Sequence, residues 1–442
     1  MKTRGRATLR VAVVCAVLAV AGFAFAQTTT PDDSRWSLAA LGFRGSLTLK
    51  SFAHFDEAPN DHRHFRDEAI LQVEWSRRFT DWFGLRAIGE VRGDDVGFAD
   101  ELTFQIPERS AHRSFLGLPE AYATLGRAPF EVTLGKQIFA WGTADAWNPT
   151  DNLNPYDYLD PFDSFKIGIW AAAARATVGP ASLTAVIAPV FTPSRAPLRD
   201  TRWVPPIPPG VLLDNPELPS RDLANMEYAA RAKVTVRGWD VALSYFDGFE
   251  YNSVFRQSAV TVEPGIVLLR LTPVYTRVKA PGLDFATTFG KLEIHGEMAG
   301  KFVERNGRDD RFQSIAGGSY TWDALGLRYL QQIIVAAEYA RETILSSRTH
   351  SDLFVPLGLT ALPNTLVLRT QWKLTEETQV RVSALVDFAG PTNHYLQAKV
   401  SHKLTDALHV EAGVEFFGGD RDTFFGRYRS NDRFFAVAKY YF

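Results

Sequence analysis

Charged side chains recur at every second position along much of the chain. Between Lys291 and Val303, Glu293, His295, Glu297 and Lys301 alternate with Leu292, Ile294, Gly296, Met298, Gly300 and Phe302. Arg231 and Lys233 alternate with Ala230, Ala232 and Val234 in the same way. Toward the C-terminus, Arg369, Lys373, Arg381, Lys399 and Lys403 fall on three consecutive segments, and Glu411 and Glu415 follow on the next. Only Asp387 clearly interrupts that basic series. Such residues do not compose a nucleophilic site, which needs a Ser, a His and a carboxylate together. The 9 histidines single out no such set, no Gly-x-Ser-x-Gly elbow stands out, and no enzyme is expected. The chemistry on offer is electrostatic. A basic ladder with acidic residues opposite attracts anionic or amphipathic solutes into a low-dielectric constriction.

The elements that would position these ladders are strands, because a period of two is the dominant pattern. Tyr228 to Val236, Leu366 to Leu374, Val380 to Phe388, Leu396 to Leu404 and Val410 to Phe416 each have one greasy and one polar face. Eighteen such segments can be counted, at 41–55, 67–80, 83–93, 114–127, 130–140, 164–178, 181–191, 224–237, 239–251, 267–289, 291–303, 312–323, 327–343, 364–375, 378–389, 393–404, 407–417 and 433–442. Segment 312–323 is the weakest, and sixteen is the nearest alternative. These strands run to about twice the 5–6 residues of soluble sandwiches, and their apolar faces are rich in Ala, Gly and Val. Tight turns such as Thr80-Asp81-Trp82 and Thr405-Asp406 mostly alternate with long connections, including 94–113, 141–163, 192–223 and 252–266. The connection at 390–392 breaks the rule. The expected fold is all-β, a transmembrane antiparallel β-barrel with a hydrated lumen. Trp82, Trp239 and Trp372 lie near the short turns, where an aromatic girdle belongs.

Composition agrees with that class. Lys2, Arg4, Arg6 and Arg10 precede an apolar run ending at Ala24-Phe25-Ala26, which reads as a cleaved signal peptide over 1–26. A short periplasmic lead over 27–40 and a barrel over 41–442 would follow. Without those four cations, 44 Lys+Arg remain of the 48, against 50 Asp+Glu. The single cysteine, Cys15, falls within the leader, so disulfides and thiolate metal sites are excluded. No basic excess points to nucleic acid, and neither a cofactor nor a metal is expected. The last strand sets Phe434, Ala436, Ala438, Tyr440 and Phe442 on one face. That resembles the signal through which outer-membrane barrels engage their assembly machinery.

Two loops stand out. Residues 192–223 contain eight prolines together with Arg195, Arg199, Arg202 and Trp203, a stiff segment suited to gating. Asp145, Asp151, Asp157, Asp160 and Asp163 could supply oxygen ligands for Ca²⁺, but their spacing matches no EF-hand, and turn capping is the simpler role. The segment 134–160 carries Gly135-Lys136-Gln137, Trp141-Gly142 and Asp145, then an Asn/Asp/Pro-rich run. It resembles the strand-and-loop signature of porin-like outer-membrane barrels related to the alginate-export type. That resemblance implies a solute-conducting channel, without alginate as the inherited substrate. A bulge near Gly135 is expected if Lys136 faces the lumen with Thr133 and Gln137.

The expected protein is therefore an outer-membrane channel of a bacterium, in contact with outer-membrane lipids. It would pass a small or polymeric solute through a charged lumen gated by long loops. The competing expectation is a plugged structural or adhesive barrel whose outer loops are the working surface.

Overall fold

A computed structural model describes residues 42–442, except 264–265, 305–308, 328, 347–352, 355–362 and 389–392. The expected leader and lead, residues 1–40, and the short connection at 390–392 lie outside the described residues.

Strand alternation has the outcome that two solvents on two faces dictate: a wall closed on itself. Its strands are β1 (Phe43–His54), β2 (Phe65–Thr80), β3 (Phe83–Asp94), β4 (Arg113–Arg127), β5 (Phe130–Gln137) and β6 (Ile169–Val178). They continue as β7 (Ala181–Ala188), β8 (Glu227–Val236), β9 (Trp239–Phe249), β10 (Arg277–Phe289), β11 (Leu292–Val303) and β12 (Asp310–Leu327). The last six are β13 (Leu330–Ser346), β14 (Asn364–Lys373), β15 (Thr378–Asp387), β16 (Asn393–Lys403), β17 (Leu408–Gly418) and β18 (Arg433–Tyr441). Each pairs antiparallel with the next, and β18 pairs with β1 from Ser46 opposite Tyr441 to His54 opposite Arg433. The seam is locked further down. Phe442 exchanges backbone hydrogen bonds with Gly45 at 2.9 and 3.0 Å, and its ring covers that glycine so closely that a Cβ would lie 2.3 Å from it. An aromatic ring laid over a glycine of the adjoining strand pins register.

The outward face is apolar along the whole circuit: Leu183, Leu243, Leu368, Val400, Phe416 and Phe434 are all exposed. Water does not tolerate so continuous an apolar surface, whereas lipid does, and closure leaves no unpaired strand edge. Near the tight turns the outside turns aromatic, with Trp75, Phe79 and Phe83 in a run of ring contacts and Trp239 against Phe285 and Phe289. Of the three tryptophans expected near the girdle, Trp82 and Trp239 are exposed and Trp372 is half-buried. The wall is uneven in height. β5 and β7 have 8 residues each, whereas β12 and β13 have 18 and 17.

Three expectations need correction. The segment 267–289 is not one strand: Ile266–Val274 pairs with Val254–Glu263 in a hairpin outside the barrel ladder, and β10 begins at Arg277. Residues 252–266, expected as loop, supply the other arm. Alternation persists through both pieces, so the pattern alone could not separate a wall strand from an outer hairpin. Val211–Leu213, within the proline-rich loop, adds to that hairpin in parallel, so the loop does contribute strand. Finally, no bulge interrupts β5: Gly135 pairs in unbroken register with Tyr122 and Ala171. Gly135 instead takes φ 137°, and a Cβ there would meet the Ala121 carbonyl at 2.2 Å, so local twist does what a bulge would have done.

Candidate functional site: a loop across a charged lumen

The connection between β5 and β6, residues 138–168, turns into the barrel. Its base is stapled by Asn154, which accepts from the Phe139 N–H at 2.7 Å and donates to the carbonyls of Gln137 at 3.2 Å and Ile167 at 2.9 Å. Trp141 and Leu153 pack beneath it on Ile169, Ala171, Val186 and Ala229 of the near wall. Gly142, at φ 99°, lets the chain wrap the carboxylate of Glu297, because a Cβ there would sit 2.5 Å from Glu297 Oε1. Glu297 on β11 then accepts from the N–H groups of Thr143 at 2.5 Å, Ala144 at 2.7 Å and Thr150 at 3.3 Å, and from the Thr150 hydroxyl at 2.8 Å. Next along the wall, Glu338 on β13 accepts from the N–H groups of Asp145 and Ala146 and pairs with His295 Nε2 at 2.7 Å. Two wall carboxylates thus satisfy loop donors that a buried loop would otherwise leave unpaired.

The second half of the loop is held by its aspartates. Asp157 meets Arg113 of β4 at 2.9 Å and Arg195 at 3.0 Å. Asp160 meets Arg66 of β2 at 2.8 Å and Arg433 of β18 at 2.5 Å. Asp163 takes Lys50 of β1 at 2.7 Å, Asp145 takes Arg369 of β14 at 2.7 Å, and Asp151 pairs with Lys166. The network extends into the wall through Arg113 and Arg92, which share Glu68, and through Arg433, which also binds Glu415 at 2.5 Å. Strands β2 and β11 stand nine places apart in a ring of eighteen, so the loop is tied to opposite sides of the barrel. Burial would raise the carboxyl of Asp157, but Arg113, Arg195 and Arg92 outweigh it and hold the group down at about 2. Burial likewise opposes ionisation of Asp160, and Arg433 and Arg66 hold that carboxyl well below the usual range. Among the described residues no group of acidic or histidine side chains forms a metal site. The aspartates serve as ion-pair anchors, and Asp157 and Asp160 also cap turns at Leu159 and Phe162.

Of the loop 192–223, Arg195 and Trp203 face inward. Arg195 also binds Glu108 at 2.7 Å, and Glu108 takes the buried ammonium of Lys136. Trp203 is buried among Phe162, Phe417 and Tyr428. Arg202 donates to the carbonyls of Asp56 and Arg63, and burial brings its pKa down to about 10. Arg199 is at the surface and donates to the Leu213 carbonyl. Two loops that pack on each other, through Phe162 on Trp203 and Asp157 on Arg195, thus enter the outer half of the barrel.

Below them the lumen opens. Lys233 pairs with Asp240 at 2.8 Å, Arg231 with Asp284 at 2.7 Å, Lys373 with Glu376 at 2.7 Å and Lys399 with Glu411 at 3.0 Å. Arg381 donates to Gln371 at 2.9 Å and stands directly opposite Lys399. Glu293 pairs with His295 and Lys301 with Asn152. Most of these side chains remain partly solvated. The sequence-derived lumen residues accordingly fall into two groups: Glu297, Lys301 and Arg369 hold the loop, and the others line the space beneath it. Lys50, Arg66, Arg113, Glu338 and Arg433 were not anticipated. They are in phase with the inward face, and five aspartates in one loop were the available sign that cations must face them.

No family model matches the chain, and no curated protein does. Among solved structures, a triple mutant of the Rhodopseudomonas blastica porin aligns with 90% of this chain and 99% of its own at 10% identity and TM-score 0.42. A second variant of that porin gives 11% identity and TM-score 0.39 over the same spans. A further structure, described by the asymmetric conductivity of engineered proteins, gives 10% and 0.42. Likeness at that level is slight, and the barrel is defined here by its own closed ladder.

Proposed function

We propose that this protein is a channel of the bacterial outer membrane that passes polar, anionic or amphipathic solutes, with the inward loop narrowing its outer half. The observation that carries this reading is the inner half of the lumen, where Lys233, Asp240, Lys373, Lys399 and Glu411 all keep solvent contact. Charges in a dry barrel would each cost several kcal/mol, so water must reach them. Lys373, Arg381 and Lys399 form the proposed solute path along β14 to β16, and Arg195 and Trp203 belong to its narrowing. The proposal assigns no polysaccharide, because no family model supports the alginate-export resemblance.

A plugged barrel with a structural or adhesive role is the second reading, favoured by the complete burial of Asp157 and Asp160 under the outer loops. Conductance of the refolded protein in planar bilayers separates the two. The channel reading expects steady conductance with anion preference, lowered by Arg381→Glu. Absence of conductance both in the wild type and after the loop is loosened by Asp160→Asn supports the plugged barrel.

A further inference from the structure

Near the turn-bearing mouth, Lys403 of β16, His409 of β17 and Lys439 of β18 stand directly opposite one another across three adjacent strands. They line a cavity of 310 Å³ together with His402, Glu411 and Tyr441. That volume lies at the low end of the roughly 300–1,000 Å³ of small-molecule sites. The charges around it are unevenly engaged. Glu411 is neutralised by Lys399 and accepts from the Ser401 hydroxyl at 2.9 Å, while Glu377 accepts from Thr375 in its own turn. Among the described residues, neither Lys403 nor Lys439 has a carboxylate within ion-pair distance, and Lys439 only overlies the Tyr441 ring at 4.9 Å. Elsewhere on this wall Lys373, Lys399 and Arg433 each hold a carboxylate, and Arg381 is bound by the Gln371 amide.

We infer that this row is a docking site for a small polycarboxylate at the inner mouth. The inference deepens the channel reading by giving the solute path a first station. With strands about 4.8 Å apart, the two lysine Cα atoms lie roughly 10 Å from each other. Their flexible stems can therefore close on two carboxylates of one compact solute, with the imidazole of His409 between them as a further hydrogen-bond partner. A solute leaving this row meets Lys399 and Arg381 next, higher on the same wall.

Isothermal titration of the full refolded chain in detergent with citrate tests the site without requiring conduction, so its result is independent of whether the barrel is open. Saturable citrate binding is expected, weakened about ten-fold or more by the double variant Lys403→Gln/Lys439→Gln, whose folding is checked by heat-modifiable migration. Glu411→Gln, which frees Lys399 and removes a carboxylate from the lining, should tighten binding. Sucrose should not bind, and inorganic phosphate should bind more weakly than citrate. Undetectable citrate binding, an affinity unchanged in the double variant, or equal affinity for phosphate would overturn the inference. In bilayers, citrate should block current from the turn-bearing side at lower concentration than from the loop side. Equal block from both sides counts against it.

Discussion

The two halves of the lumen use the same residue types for opposite ends. In the outer half, most charges are buried and every anchoring aspartate is matched: Asp160 lies between two guanidinium groups, and Glu297 lies in a nest of loop N–H donors. In the inner half, pairs such as Lys233 with Asp240 are about two-fifths exposed and bathe in solvent. Desolvation makes the difference. A buried ion pair costs a great deal to break because its survivor stays buried, whereas a solvated pair hands its survivor to water. The outer half is thus a rigid fixture, and the inner half an electrostatic field.

The sharpest way to break that contrast is Asp160→Ala, which removes the carboxylate shared by Arg66 and Arg433 and leaves each guanidinium a single acidic partner, Asp163 and Glu415. A loss of about 3–5 kcal/mol is expected, read as a lower temperature for the heat-modifiable shift and as noisier, larger conductance. Glu297→Gln is smaller in effect, since the amide keeps one acceptor oxygen for the loop and turns its N–H group against only the remaining donors. About 1–3 kcal/mol should be lost, with faster proteolysis confined to the 138–168 loop. Acid supplies a third probe. Because the Asp157 carboxyl is held at about 2, below its ordinary value, its contribution is full above the ordinary carboxylate range and is lost as pH falls through about 2. Loop protection from protease should hold from pH 7 to 4 and fail toward pH 2. A loss already complete at pH 4 would contradict the assigned anchor. In the inner half, Lys233→Gln should change stability by no more than about 0.5 kcal/mol yet shift the reversal potential toward cations. A large destabilisation there would erase the contrast between the halves.

The wall was legible in the sequence because lipid and water impose opposite demands on successive residues, and strands as distant as β1 and β18 show it equally. Even the doubtful segment 312–323 lies within a wall strand. The loop was not legible for a converse reason. Its course depends on partners such as Asp160 and Arg433, 273 residues apart, and nothing local to either names the other. Trp141, Gly142 and Asp145 were picked out by resemblance. Their work of wrapping Glu297 and meeting Arg369 emerges only once the barrel brings β11 and β14 to face them. The outer hairpin was misread because its arms alternate as the wall does.

The uneven wall has a consequence of its own. A tilted strand of 8 residues rises roughly 20 Å, and one of 17 rises about twice as far. The bilayer core around both has a single resting thickness. The short β5–β7 flank is therefore the side on which any mismatch with the lipid would fall. The inward loop springs from that same flank, between β5 and β6. Any strain that lipid mismatch put on the short flank would therefore fall where the loop is rooted.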